Sequence, residues 1–405
     1  MIPILLFLFA FSQKQISDNP IIIDALTSRY ASEYILVTTP SGVYTFDRIA
    51  KTWKSITTRD GLPDNQVDII GLDEGILWVA TPQGLASADV RLNDWQTYEL
   101  TGKITGIAFD ENYVWITGDF GMKRFDKYVE SWEDIYDKPA NDILFDKTYL
   151  WIAVSKGIFR YDREFERIEE MYTAPKCDYN YIIDTRSRIW FLSDDYFVAY
   201  EKNTESWSEH TALDITDYSI LGDSLFVISN GSVLLFNPAT NNWQEFVEVK
   251  GLDKVNGISI NPRASSYITF ATDKGLVLYN WLTKSRDVYS RANGMQSDST
   301  IDAYETSNYI FAIGRDNIQY LEKETGIWHV ENLAPIKGIR ARVLHYDEAG
   351  LHADIVRDLD IRLQGRAYYS LSTVISDSTT STDYENINLL TVYYRYITTT
   401  QTKNK

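Results

Sequence analysis

Cysteine is nearly absent from this chain of 405 residues, in which Cys177 is the only one. No disulfide can therefore form within the chain, and the fold has to be held together by packing. Histidine is also scarce, with His210, His329, His345 and His352, and no two of them have the His-x-x-x-His spacing of a metal-binding helix. The sequence contains no Gly-x-Ser-x-Gly segment and no Asp-x-Asp-x-Asp calcium loop. We therefore expect no catalytic residue, no metal and no cofactor.

Basic residues are the minority among the charged ones, with 39 Lys and Arg against 57 Asp and Glu and a formal net charge of -18. A protein that binds DNA or RNA needs clustered Lys and Arg to release counterions from the phosphates. Nucleic acid is therefore not an expected partner. Long apolar runs are missing too: after the N-terminus, no segment reaches the ~20 apolar residues of a membrane helix. The mature chain is expected to contain no transmembrane segment.

The N-terminus carries the one conspicuous apolar run, from Ile2 to Phe11. Ala10 and Ser12 supply small residues at positions minus three and minus one of a cut after Ser12. No Lys or Arg precedes the run, which departs from the usual pattern and leaves a buried core strand as the alternative. We predict that residues 1–12 are a signal peptide and that the protein is exported to the periplasm, the cell surface or the medium.

What the sequence does have is an internal repeat that returns about every 40 residues. In its clearest copy an apolar strand, Leu77 to Thr81, is followed by Gly84 and Leu85 and then by Trp95. The same features recur along the chain, and six of the copies have a glycine at the start of the third strand. The strand tryptophans are Trp78, Trp115, Trp151 and Trp190, and the glycines are Gly42, Gly84, Gly121, Gly157, Gly231 and Gly275.

Each copy predicts four short strands, which are too small to bury an apolar face alone, so neighbouring copies must stack. Four-stranded units of this length are typical of β-propeller blades. We predict an all-β fold in which residues 21–333 form a propeller of about eight blades, or alternatively seven. The recurring tryptophans are expected to pack between blades. From residue 334 to 405 the period stops, and Asp358–Val374 and Asn386–Ile397 alternate as two strands of a C-terminal β-hairpin extension. The tail from Thr398 to Lys405 is expected to be disordered.

One stretch identifies a family resemblance. Residues 58–67 read Thr-Arg-Asp-Gly-Leu-Pro-Asp-Asn-Gln-Val and lead into Leu77-Trp78-Val79-Ala80-Thr81. This order resembles the two-component regulator propeller repeat, and weaker echoes of its turn occur at Gly251-Leu252-Asp253 and Gly294–Asp298. In that family such propellers are exported sensor modules that recognise extracellular ligands such as glycans. The membrane helix and kinase that often follow them are missing from this sequence, so the resemblance implies a stand-alone exported binding or scaffold module.

A ligand site is expected on the face formed by the loops that lead into the innermost strand of each blade. Amides and carboxylates there suit sugar hydroxyls, which need paired donors and acceptors. Tyr179 or Tyr181 would be available for stacking, and His210 and His329 are expected to be exposed and not catalytic. The predicted site residues are Asp64, Asn65, Gln66, Asn141, Asp178, Asn180, Asn256, Asp298 and Ser299.

Three functions remain open at this point. The first is a non-catalytic module that binds a glycan or a protein. The second is a scaffold in a cell-envelope or secretion assembly, held through the C-terminal hairpin. The third is a propeller lyase, which would need a histidine base beside a glutamate and a magnesium site.

Overall fold

The computed structural model describes residues 11–15, 22–24, 34–39, 41–89, 94–249, 254–261, 265–315, 317–333, 338–347 and 350–359. It confirms the all-β prediction: eight antiparallel sheets form an eight-bladed propeller. The chain divides into two compact units, residues 1–331 and 332–405.

Blades 1 to 4 follow one another along the chain, and strand β1 (Phe11–Lys14) precedes them. Their strands are β2 (Ile22–Asp24), β3 (Tyr34–Thr39), β4 (Gly42–Asp47) and β5 (Thr52–Ile56); β6 (Ile69–Asp73), β7 (Ile76–Thr81), β8 (Gly84–Asp89) and β9 (Trp95–Tyr98); β10 (Ile104–Phe109), β11 (Tyr113–Gly118), β12 (Gly121–Asp126) and β13 (Ser131–Tyr136); and β14 (Asp142–Phe145), β15 (Tyr149–Val154), β16 (Gly157–Asp162) and β17 (Arg167–Glu170).

Blades 5 to 8 repeat the arrangement, with short 3-10 turns at Val247–Val249 and Arg291–Asn293. Their strands are β18 (Tyr181–Asp184), β19 (Arg188–Leu192), β20 (Tyr196–Glu201) and β21 (Ser206–Thr211); β22 (Ile215–Leu221), β23 (Ser224–Ser229), β24 (Ser232–Asn237) and β25 (Asn242–Glu245); β26 (Val255–Ile260), β27 (Tyr267–Thr272), β28 (Gly275–Asn280) and β29 (Arg286–Tyr289); and β30 (Asp302–Glu305), β31 (Tyr309–Ile313), β32 (Asn317–Glu322) and β33 (Ile327–Asn332).

The first strand of each blade is innermost and the fourth is outermost, and the second strands are buried from both faces because they lie between adjacent blades. The strand tryptophans confirm their predicted role as packing residues. Trp115, Trp151 and Trp190 are almost completely buried. Trp151 of blade 4, for example, packs on Tyr200 of blade 5 with the ring centroids 4.8 Å apart.

An aspartate in the turn between the first and second strands orients two of these tryptophans. Asp110 accepts the indole N–H of Trp115 at 2.7 Å, and Asp146 accepts that of Trp151 at the same distance. Blade 5 has Thr185 in place of this aspartate, and the indole N–H of Trp190 has no hydrogen-bond partner among the described residues. The aspartate of this turn is therefore not repeated in every blade that has the strand tryptophan.

The turn between the third and fourth strands also recurs. Asp126 accepts the backbone N–H groups of Tyr128 and Val129, and Asp162 accepts those of Glu164 and Phe165. A residue with positive φ then leads into the outer strand in most blades: Lys51, Glu130, Glu166, Glu205, Asn241, Lys284 and Gly326. These turns lie at the opposite end of the strands from the loops that lead into the innermost strand.

Blades 1 and 8 close the ring through aromatic packing. The ring of Phe46 lies 5.3 Å from Tyr309 and 5.0 Å from Tyr320, measured between centroids. An ion pair between Lys51 and Glu322 adds a polar contact at the surface of the same junction. Since every sheet of the described propeller keeps its own outer strand, closure rests on side-chain packing between the first and last blades.

One strand lies ahead of the predicted start of the propeller at residue 21. β1 pairs antiparallel with β6, with Phe11 opposite Leu72 and Lys14 opposite Ile69, so blade 2 has five strands. β1 thus lies on the inner edge of blade 2, at the central channel. The proposed cut after Ser12 would fall within this strand.

The second unit contains one β-hairpin in the residues that the structure describes. β34 (Gly338–Asp347) pairs antiparallel with β35 (Gly350–Leu359). The predicted strand Asp358–Val374 overlaps it only at Asp358 and Leu359. The rest of that strand, the predicted strand Asn386–Ile397 and the tail from Thr398 to Lys405 lie outside the described residues.

Candidate functional site

The innermost strands can be aligned by their pairing with the second strand, although blades 3, 6 and 7 have a register shift there that blades 2, 4, 5 and 8 lack. We call the inner position the residue of the innermost strand that pairs with Ala80, Thr117, Ala153, Leu192, Ile228, Ala271 or Ile313, and latch residues those that immediately precede it. In blades 2, 4, 5 and 8 the latch N–H donates to the end of the second strand, as in the bond from Asn141 to the Ala153 carbonyl at 2.8 Å. The latch residues are Asp68, Thr105, Asn141, Asn180, Thr216, Asn256 and Ile301.

Latch side chains join neighbouring blades. Asn141 Nδ2 donates to the Tyr179 carbonyl of blade 5 at 2.8 Å, and Asn256 Nδ2 donates to the Thr300 carbonyl of blade 8 at 2.9 Å. Thr105 Oγ1 makes the equivalent bond to the Ala140 carbonyl of blade 4 at 2.6 Å. Two predicted site residues, Asn141 and Asn256, are therefore engaged in holding blades together.

Two residues before each latch residue, the chain presents an exposed side chain on the loop face. We call these rim residues. All but Pro139 are polar, and three of them, Gln66, Asp178 and Ser299, belong to the predicted site. The rim residues are Gln66, Lys103, Pro139, Asp178, Asp214, Lys254 and Ser299, and every one of them is exposed.

Two long loops that contain rim residues are held by the same pattern of side-chain to backbone hydrogen bonds. In the loop of residues 57–68, Asp60 accepts the Thr57 N–H at 2.9 Å and Asn65 accepts the Thr58 N–H at 2.9 Å. In the loop of residues 290–301 the equivalent bonds run from Ser290 to Asn293 and from Arg291 to Asp298, each at 2.5 Å. Gly294–Asp298, predicted as a weak echo of residues 58–67, thus adopts the same structure. The other echo, Gly251–Asp253, lies outside the described residues.

The remaining predicted site residues of these two loops, Asp64, Asn65 and Asp298, accept hydrogen bonds from the backbone of their own loop. Asn65 and Asp298 occupy equivalent places and accept a backbone N–H, while Asp64 Oδ1 accepts the Gln66 N–H at 3.1 Å. Such side-chain bonds to nearby backbone fix a loop before any ligand arrives.

We expect Asn65→Ala to lower the free energy of unfolding by about 1 kcal/mol, because the Thr58 N–H loses its acceptor. Asn65→Asp should be nearly neutral, since Asp298 performs the same role in blade 8. Chemical denaturation of the two variants would measure both values. Equal destabilisation by Ala and Asp would show that the acceptor oxygen is not what stabilises the loop.

Immediately after the latch residues, three aspartates line the channel. Asp142 accepts the Ile143 N–H at 2.9 Å and, from blade 5, the Ile182 N–H at 2.8 Å. Asp217 does the same with Tyr218 at 2.8 Å and with Ile258 of blade 7 at 2.7 Å. Asp302 of blade 8 accepts the Ala303 N–H at 2.7 Å. Each carboxylate satisfies inward-facing N–H groups on the free edge of the innermost strands.

Glycine makes room for two of these carboxylates on the preceding blade. A Cβ placed on Gly106 would lie 2.8 Å from Asp142 Oδ1, and one on Gly257 would lie 2.7 Å from Asp302 Oδ1. Any side chain at either position would collide with the carboxylate of the next blade. The inner position therefore reads Gly, Asp, Tyr, Asp, Gly, Asp from blade 3 to blade 8.

Burial in the narrow channel disfavours the charged form of these groups. It raises the pKa of Asp217 to about 7, although the N–H bonds from Ile258 and Tyr218 lower it. Burial also raises the pKa of Asp302 well above its ordinary value, and the nearby Asp217 charge raises it further. The pKa of Asp142 is raised by burial too, but the Lys14 ammonium and the two backbone N–H groups act against the increase.

A pH dependence of stability follows for Asp217. Because its pKa is about 7 in the folded protein and about 4 in an unfolded chain, the folded state holds a proton that the unfolded state releases. Ionisation of Asp217 therefore destabilises the fold progressively from about pH 4 to pH 7. The difference in unfolding free energy between the wild type and Asp217→Asn should fall with rising pH, by at most ~1.4 kcal/mol per unit. Denaturation at pH 5 and pH 8 would measure it, and an unchanged difference would contradict the expectation.

Lys14 of β1 reaches across the channel to blades 4 and 5. Its Nζ donates to the Asn141 carbonyl at 2.8 Å and to the Asn180 carbonyl at 2.9 Å. It also lies 4.6 Å from the centroid of the Tyr181 ring, a cation–π distance. Asn180, a predicted site residue, thus contributes its backbone oxygen to a contact within the chain.

Tyr179 and His210 are both buried, contrary to expectation. Tyr179 cannot stack on a ligand, because it is completely buried and donates its hydroxyl to the Pro175 carbonyl at 2.8 Å. His210 was expected to be exposed, which is wrong: it packs against Trp190 at 5.0 Å and Phe236 at 5.1 Å between centroids. Burial lowers the pKa of His210. His329 is half-buried and stacks on Tyr320 at 4.9 Å.

Sequence reasoning missed Lys103, Asp214 and Lys254 on the rim and Lys14 in the channel. The rim residues could have been found by counting two positions back from each latch residue once the repeat register was fixed. Nothing near Lys14 in the sequence indicates its partners.

In the part of the chain that the structure describes, no group of three or more His, Cys, Asp and Glu side chains is arranged to hold a metal ion. No helix there has the length and apolar character of a membrane span.

Of three solved structures that are similar to this chain, only the first has a TM-score above 0.5. The computationally designed protein Ika8 is 13% identical and has a TM-score of 0.55, covering 79% of this chain and 98% of its own. The extracellular domain of the hybrid two-component system BT4673 from B. thetaiotaomicron is 11% identical with a TM-score of 0.38, over 86% of this chain and 71% of that one.

A third similar structure is PorZ, a surface component of the type-IX secretion system of Porphyromonas gingivalis. It is 11% identical with a TM-score of 0.39, and the match covers 79% of this chain but only 55% of PorZ. No family model and no curated protein sequence matches the chain.

Proposed function

We propose that this chain is an exported, non-catalytic β-propeller that binds an extracellular ligand, a glycan in the first instance, through the rim residues of its loop face. The resemblance of residues 58–67 to the two-component regulator propeller repeat supports this function. Export is supported by the apolar run that ends in Ala10-Phe11-Ser12.

The observation that carries the proposal is the repetition of the rim position. In each blade where this position is described it holds one exposed residue, and all but Pro139 carry an amide, hydroxyl, carboxylate or ammonium group. Sugar hydroxyls need both donors and acceptors, and the rim residues include both.

The rim is also preorganised. The loops of residues 57–68 and 290–301 are fixed internally by Asn65 and Asp298, and Leu62 and Met295 anchor them in the core. A site that is rigid before binding loses little conformational entropy when the ligand arrives.

Binding of the chain to an array of neutral and acidic polysaccharides tests the proposal. Selective binding of at least one glycan is expected, and the triple variant Gln66→Ala, Asp178→Ala, Ser299→Ala should weaken it at least tenfold. The control triple variant Glu164→Ala, Asn203→Ala, Glu324→Ala changes exposed residues in the turns at the opposite end of the blades. It should leave binding unchanged. A chain that binds no glycan, or two triple variants with equal effects, would contradict the rim as a glycan site.

A further inference from the structure

Strand β1 is an addition to the propeller and not one of its repeating parts. Blade 2 already has the four strands that every other blade has, and β1 pairs with the inner edge of β6 as a fifth. Its register runs from Phe11 opposite Leu72 to Lys14 opposite Ile69, and Gln15 donates its N–H to the Asp68 carbonyl at 2.9 Å. Pairing of an extended segment with an open sheet edge is a common mode of peptide recognition.

The Lys14 side chain binds in a site formed by blades 4 and 5, which we call the Lys14 seat: the carbonyl groups of Asn141 and Asn180 and the ring of Tyr181. The two carbonyl groups that accept its ammonium belong to the latch residues Asn141 and Asn180. Both are held in place, because their N–H groups donate to Ala153 and Leu192 and the Asn141 amide donates to Tyr179. A third latch carbonyl, that of Asp68, binds the backbone of the same strand.

The seat supplies hydrogen-bond acceptors to an ammonium group that is otherwise buried. Burial lowers the pKa of Lys14, and Lys103 lowers it further, while the charges of Asp142 and Asp68 act in the opposite direction. The Tyr181 ring closes the seat with its electron-rich face. Carbonyl oxygens, a carboxylate and an aromatic face together select a primary ammonium group at the end of a flexible chain.

We propose that the β6 edge and the Lys14 seat form a peptide-binding site for an extended, lysine-bearing segment of a partner protein, and that residues 11–15 occupy this site as a tethered ligand. The edge supplies backbone pairing, and the seat supplies specificity for lysine. The site lies inside the channel mouth and is separate from the exposed rim. A cut after Ser12 would shorten the tethered ligand to Gln13, Lys14 and Gln15, which keep the pairing with Ile70 and Ile69, the Lys14 ammonium contacts and the bond to the Asp68 carbonyl.

A labelled peptide with the sequence of residues 11–15, Phe-Ser-Gln-Lys-Gln, blocked at both ends, tests the site by fluorescence anisotropy. The wild-type chain should bind it weakly, because its own strand fills the site. The variant Lys14→Met weakens the tethered ligand and should bind the peptide at least tenfold more tightly. A control peptide with methionine in place of lysine should bind this variant at least tenfold more weakly than the lysine peptide.

A second variant releases the strand differently. Gln15→Pro removes the N–H that the Asp68 carbonyl accepts while keeping Lys14, and it too should gain affinity for the lysine peptide. Circular dichroism would establish that both variants keep the β-fold. The proposal is overturned if neither folded variant gains affinity, or if the methionine peptide binds as well as the lysine peptide. The rim variants should leave this affinity unchanged, so loss of glycan binding and loss of peptide binding are distinguishable.

Discussion

Trp151→Ala is expected to lower the free energy of unfolding by about 3–5 kcal/mol, as for large aromatic residues removed from cores. The indole is almost completely buried, and it packs on Tyr200 and Phe191 of the next blade at centroid distances of 4.8 and 5.8 Å. Its removal would open a cavity between blades 4 and 5 and leave Asp146 without the N–H that it accepts at 2.7 Å.

Equilibrium denaturation would measure the effect, with Trp207→Ala as the matched control. Trp207 belongs to the same aromatic cluster but is only half-buried, so its loss should cost clearly less. If the two replacements had equal effects, the tryptophans would stabilise the fold by their general apolar area and not by filling the space between blades.

Asp142→Ala is expected to destabilise the protein by about 2–6 kcal/mol. The change would leave the N–H groups of Ile143 and Ile182 without acceptors, and each unsatisfied buried donor costs about 1–3 kcal/mol. It would also remove the carboxylate whose charge favours the buried Lys14 ammonium.

Asp142→Asn separates these contributions, because the amide keeps one acceptor oxygen but no charge. It should destabilise the protein less than the alanine variant does. Hydrogen exchange gives a local readout: in the alanine variant the Ile182 amide should exchange faster, while amides of blade 8 should not change. If the Ile182 amide stayed fully protected in the alanine variant, its hydrogen bond to Asp142 would not be what protects it from exchange.

The sequence was sufficient to predict the propeller because each blade repeats the same short-range chemistry. In blade 4, Asp146 lies in the turn between the first and second strands, Trp151 lies in the second strand, and Gly157 begins the third. All three residues fall within one repeat. The loop of residues 57–68 was recognisable for the same reason, since Asp60 and Asn65 bond within the loop itself.

Contacts between distant residues were not predictable in this way. Lys14 is separated from Asn141 by 127 residues and from Asn180 by 166, and no local pattern connects them. His210 follows the outer-strand Trp207, which suggested exposure, yet Trp190 of its own blade and Phe236 of the next blade enclose it. The predicted site residues separated into rim, latch and loop positions only after the register of each innermost strand was fixed.

The residues at the inner position around the channel make the blades non-interchangeable. Asp142 occupies space that the preceding blade leaves free only because Gly106 has no side chain, and Asp302 depends on Gly257 in the same way. Deletion of blade 4 alone would place Gly106 beside Tyr181 and leave the Ile182 N–H without the acceptor that Asp142 provides. Deletion of blades 4 and 5 together would place Gly106 beside Asp217 and preserve the match. In this part of the ring, blades are therefore expected to be inserted or deleted in pairs, although the sequence repeat corresponds to a single blade.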